Sequence, residues 1–178
     1  EGELLAYHDR IRETVTAALT EPARRAHHLR VARALEDTGQ ASAQRLSFHF
    51  RQAGEPRLAI RYAVSAALKA YQALAFDQAA GLCQEALRLP DLPPSDAAAL
   101  RACLAQSLAA AGRPWEAARS YLDEACHLPN STAQLRRRLA MEQLFMGGYV
   151  EEGQQLLVQL LREVALPAPR RGWVRWWC

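Results

Sequence analysis

A turn that recurs with a fixed small residue behind it constrains this chain more than any other feature. Gly54-Glu55-Pro56-Arg57-Leu58-Ala59, Gly112-Arg113-Pro114-Trp115-Glu116-Ala117 and Gly148-Tyr149-Val150-Glu151-Glu152-Gly153 each put a small residue five places after the turn glycine. Leu74-Ala75-Phe76-Asp77-Gln78-Ala79 keeps the aromatic and the small residue but lacks the glycine. Successive turns lie 20, 38 and 36 residues apart, and the last two intervals match the period at which helix-turn-helix units stack into arrays. The short first interval predicts that Arg57 to Ala75 forms one long or bent helix that ends one unit and begins the next.

Composition says what fills the intervals. The chain has 35 Ala and 26 Leu against 14 Val, Ile and Thr together. Ala and Leu lose little freedom in a helix whereas β-branched side chains do, so an all-α fold is expected. A first helix is predicted over Tyr7 to Leu19, with Ile11, Val15 and Leu19 on one stripe. Thr20-Glu21-Pro22 then supplies a cap and a first-turn proline for a helix from Glu21 to Asp37, which Gly39 ends. Its apolar positions Leu29, Ala32 and Leu35, flanked by Val31 and Ala34, recur at helical spacing. Two antiparallel helices approach closely only where side chains are small, which assigns Gly54, Ala59, Ala79, Gly112, Ala117, Gly148 and Gly153 to packing between helices of a unit, and Tyr121 joins them one helical turn after Ala117. Leu82, Leu87, Leu104, Leu108, Leu122, Leu139 and Leu144 are expected to fill the seams between units, and Pro90 and Pro129 to close them. A single pair cannot bury its apolar face, so the expected architecture is an α-α superhelical solenoid.

Gly112, Trp115, Ala117, Tyr121 and Pro129 resemble a tetratricopeptide repeat. The opening Tyr7-His8-Asp9-Arg10-Ile11-Arg12-Glu13-Thr14-Val15 is similar to a segment of large bacterial signalling ATPases of the AAA/STAND type, where it closes a winged-helix-like region. Arg24 to Leu35 with His27-His28, Ser47-Phe48-His49-Phe50 before Ala53-Gly54, and Met146 to Gly153 continue the likeness, which covers residues 4 to 167. It is strongest to serine/threonine protein kinases that carry an ATPase and a C-terminal repeat region. The resemblance implies a sensor or scaffold arm that binds protein and relays to catalytic modules elsewhere in the polypeptide.

No catalytic set accompanies that likeness. Lys69 lies in an alanine run rather than a phosphate-binding loop, and neither an HRD nor a DFG triplet occurs. His8 and Asp9 are neighbours pointing about 100° apart on a helix, with no hydroxyl placed to complete a triad. His27 and His28 diverge for the same reason, and Cys83, Cys103, Cys126 and Cys178 form no closely spaced ligand set, so neither a metal nor a cofactor is expected. The cysteines are read as reduced thiols of a cytoplasmic protein. Asn130-Ser131-Thr132 reads as a helix N-cap rather than a glycosylation site. No apolar run approaches the roughly 18 residues of a membrane span.

A formal charge of +3 is too even to demand a nucleic-acid partner, and Glu142 sits four residues from Arg138 to neutralise part of the Arg136-Arg137-Arg138 run. The reading is therefore a non-catalytic protein-interaction segment with no small-molecule substrate, and the alternative is a nucleic-acid-binding arm using the arginines. Residues 1–39 are expected to form a helical pair, 40–166 the repeats, and 167–178 a basic, aromatic tail that begins a further helix. That tail, with Arg170, Arg171 and Arg175 among Trp173, Trp176 and Trp177, is expected either to fold back on the helix of Leu156, Leu157, Leu160 and Leu161 or to drive weak self-association. The binding face is assigned to first helices, at Gln44, Phe48, Arg51, Arg101, Gln106, Arg137 and Gln143.

Overall fold

The computed structural model describes residues 19–163, all of whose regular elements are helices. They are α1 (Glu21–Thr38), α2 (Ala43–Ala53), α3 (Pro56–Gln72), α4 (Phe76–Leu87), α5 (Pro94–Ala110), α6 (Pro114–Cys126), α7 (Asn130–Met146) and α8 (Val150–Glu163). The expected helix over Tyr7 to Leu19, the His8-Asp9 pair and the tail from Pro167 lie outside these residues, apart from Leu19 itself.

Local chemistry accounts for most of the boundaries. Helix α1 has Thr20 at its N-cap, Pro22 in its first turn and Gly39 at its end in the left-handed region, although the Thr20 hydroxyl accepts no cap bond. The Ser42 hydroxyl does cap α2, accepting from the Arg45 amide at 3.3 Å. Asn130-Ser131-Thr132 does not act as the expected cap: Pro129 occupies that position, the helix already includes Asn130, and no side chain caps it.

Long and short helices alternate. Helices α3, α5 and α7 each have 17 residues, and α4, α6 and α8 have 12, 13 and 14. Within these pairs the turn residue with positive φ is Leu74, Gly112 or Gly148, so Leu74 takes the place the missing glycine would have held, at φ 61°. The pair α1 and α2, with 18 and 11 residues, turns at Gly39. Gly54 instead joins one pair to the next, which explains the 20-residue interval and makes Pro56–Gln72 the single helix expected there.

By their contacts the residues divide into two compact units, Glu1–Ala66 and Ala67–Cys178, with the division inside α3. Within the first unit α1 packs on α2. In the first unit Ala32, Leu46, Phe50 and Ala59 are buried, with Leu29, Leu35 and Tyr62 against them. The Phe50 ring stacks on Tyr62 at 5.5 Å, and the Ser47 hydroxyl donates to the Ala59 carbonyl at 2.9 Å.

In the second unit consecutive helices pack in sequence order from α4 through α8. Ala79, Ala117 and Tyr121 are buried, whereas Gly54, Gly112 and Gly148, expected to pack between helices, are exposed turn residues with positive φ. Ala80, Leu108 and Ala117 form one cluster, and Ala105, Ala118, Tyr121, Ala140, Leu144 and Leu156 form another. Gly153 is buried too, and a Cβ there would lie 2.9 Å from the half-exposed Phe145 ring, which would have to turn aside to admit it. Small side chains thus set the spacing of the helices, as the packing argument requires.

Candidate functional site

The first unit gathers its polar and aromatic groups on α2. Gln44, Phe48 and Arg51 are four and three residues apart, share one stripe, and are all exposed. The Arg51 guanidinium lies 5.9 Å over the Phe48 ring, a side chain left 45% exposed. Beside it, His28 of α1 and His49 of α2 bring their Nδ1 atoms to 3.0 Å, and the His28 ring meets Phe48 edge-on at 6.0 Å. Burial is the first cause that holds both histidines below their usual pKa; His27 and Arg24 add to it at His28, and His28, Arg45 and His27 at His49. His27 diverges as expected and bonds Arg30 at 3.2 Å.

Two hollows of the second unit are lined by described residues. The larger, of about 370 Å³, lies between α4 and α6, with Leu104 and Leu108 of α5 as its floor and Arg101, Glu116, Arg119 and Asp123 on its rim. The smaller, of about 190 Å³, lies between α6 and α8 with Leu144 of α7 as part of its floor. Their linings correspond at five positions. Leu108, Glu116, Arg119, Ser120 and Asp123 of the first reappear 36 residues on as Leu144, Glu152, Gln155, Leu156 and Gln159 of the second. The interval of the turns has become an interval of surface. Charge is concentrated in the first hollow, whereas the second carries amides, Trp115 and Leu122, and Arg119 lines both.

The expected binding residues divide accordingly. Gln44, Phe48 and Arg51 come together on α2. Arg101 and Arg137, also 36 residues apart, each turn to the short helix that follows: Arg101 to Asp123 at 3.5 Å and Arg137 to Glu163 at 2.9 Å. Gln106 is exposed, but five residues from Arg101 place it about 140° around the α5 axis, so the two do not line one surface. Gln143 is half-buried, with its amide 3.9 Å from the Met146 sulfur. The hollows open between the short helices, and of the expected first-helix residues only Arg101 lines one.

Each member of the arginine run has a carboxylate. Arg136 donates to Glu124 at 2.7 Å, Arg137 to Glu163, and Arg138 pairs with Glu142 at 3.2 Å. Glu124 is 4% exposed and its second oxygen has no partner, a buried pair that no local pattern in the sequence announced. Cys83 and Cys103 are buried on facing helices. The Cys103 sulfur lies 3.9 Å from the Ser107 hydroxyl, and the neighbouring Cys103 thiol, then burial, push Cys83 up. Cys126 is exposed. Among the described residues there is no group of three or more His, Cys, Asp or Glu arranged to hold a metal ion, and no helix long and apolar enough to cross a membrane.

Compared with protein-family models, with curated proteins and with solved structures, the chain matches none.

Proposed function

We propose that this chain is a non-catalytic protein-interaction segment, a solenoid of tetratricopeptide-like helix pairs that serves as scaffold or sensor arm of a signalling regulator. The observation that carries the reading is the pair of hollows whose linings correspond at a 36-residue interval. A leucine that recurs in the floor, Leu108 and then Leu144, beneath a polar rim suits a protein segment that crosses successive short helices, with the apolar floor supplying affinity and Arg101, Arg119, Glu116 and Asp123 supplying register. Attachment to ATPase or kinase modules is proposed from the family resemblance alone.

The nucleic-acid alternative needs arginines free for phosphates, and in the Arg136-Arg137-Arg138 run every guanidinium is already tied to a carboxylate. The test is co-purification from the cells that make the chain, comparing wild type with Arg119→Glu and Leu104→Arg in the larger hollow and Arg30→Ala on exposed α1. A protein that Arg30→Ala retains and both hollow variants lose would support the reading. Saturable binding to duplex DNA that collapses with added salt and ignores both hollow variants would favour the alternative.

A further inference from the structure

We propose that His28 and His49 form a two-nitrogen site for a divalent transition metal ion of the zinc, nickel and copper class, linking α1 to α2. The argument begins from geometry. The two Nδ1 atoms face each other at 3.0 Å and the ring centroids are 5.2 Å apart. An ion held tetrahedrally by two imidazoles at about 2.0 to 2.1 Å requires its nitrogens about 3.3 Å apart and the ring centres about 5.2 Å apart. The centroids already have that separation, so a turn of each ring by about 35° about its own centre, opening the nitrogens from 3.0 Å to about 3.3 Å, converts the head-to-head hydrogen bond into a chelate.

The hydrogen bond itself requires one ring to donate from Nδ1 and the other to accept there. A metal ion replaces that shared proton, both rings then carrying their proton on Nε2. Imidazole nitrogen selects this class of ion over calcium or magnesium, which take oxygen ligands. Water would complete the coordination, since no third protein ligand stands in the cluster among the described residues. The neighbouring Arg24, Arg45 and His27 oppose a divalent charge, so a weak, exchangeable site is expected rather than a permanent structural one. Its occupation would fix His49 and therefore the adjoining Phe48, whose ring meets His49 at 5.3 Å.

The test uses the whole chain and zinc chloride, with imidazole 15N resonances recorded through the titration. Zinc should move the Nδ1 signals of His28 and His49 together at one ion per chain, while magnesium moves neither. His28→Gln and His49→Gln should each weaken zinc binding at least about tenfold, because one imidazole cannot chelate, and His27→Gln should not weaken it. Melting curves without metal establish that each variant folds, and the wild-type titration decides the matter should one not. The proposal is overturned if zinc moves neither ring or only one of them, or if a folded His49→Gln binds zinc as tightly as wild type.

Discussion

The α1–α2 pair and the helices from α5 to α8 solve the same packing problem in different ways. In the first, a whole aromatic ring enters the interface: Phe50 is fully buried and stacks on Tyr62, with Leu29, Leu35 and Leu46 around it. In the second, alanines at 105, 117, 118 and 140 and Gly153 let the helices close on one another, and leucines fill what remains. An interface filled by one large ring is vulnerable to truncation. One held by small residues is vulnerable to enlargement.

That contrast should break most visibly at Phe50. Phe50→Ala removes a buried ring and is expected to destabilise the chain by about 3 to 5 kcal/mol in urea denaturation. A loss under about 1 kcal/mol would mean that the first unit does not depend on that ring. Ala117→Leu tests the other half of the comparison: overpacking at a fully buried alanine should cost about 1 to 3 kcal/mol, and Arg119→Ala, exposed on the same helix, should stay within about 0.5 kcal/mol. Equal, small effects at both positions would show that the small-residue interface tolerates bulk.

A smaller effect of opposite sign is expected at the turn of α3 and α4. Leu74 has φ 61° and is 72% exposed, so it strains the backbone without filling any core. The left-handed conformation costs a non-glycine residue about 1 to 2 kcal/mol, while glycine adds entropy to the unfolded chain worth somewhat less. Leu74→Gly should therefore raise stability by up to about 1 kcal/mol. A measured loss would mean that the leucine side chain contributes packing there.

The smallest effect concerns pH and the first unit alone. His28 and His49 sit below the unfolded value of 6.5, chiefly through burial and then through His27, Arg24 and Arg45, so the unfolded chain binds their protons more readily than the folded one. Their contribution is complete above about pH 6.5 and is lost as the pH falls through their lower folded values. Denaturation midpoints should decline over that window in wild type and decline less in His28→Gln. An identical pH profile in both chains would remove the pair from the account.

How much of this was legible in the sequence depended on how local its cause is. The close approach at Ala79, Ala117 and Gly153 could be read because it demands a small residue at a fixed distance from a turn. Arg138 and Glu142 could be paired because a helix fixes the geometry of residues four apart. The position of Leu74 was read as a turn lacking its glycine, and its left-handed backbone shows that the turn keeps its geometry against the side chain's preference. Three features were not legible, because each depends on how separate helices dock. His28 meets His49 across 21 residues and Arg136 meets Glu124 across 12. The hollows fall between short helices, whereas Arg101, Gln106, Arg137 and Gln143 belong to the long helices α5 and α7, and Gln44, Phe48 and Arg51, expected on a first helix, belong to α2, the second helix of its pair.

The most direct test of the functional account is photo-crosslinking in the cell from position 119, whose arginine lines both hollows, with position 30 on α1 as control. A photoreactive residue at Arg119 should give a discrete adduct that protease digests and nuclease does not, and the same residue at Arg30 should give none. An adduct at 119 that nuclease removes, or equal labelling at both positions, would contradict a protein-binding surface built on the repeated hollows.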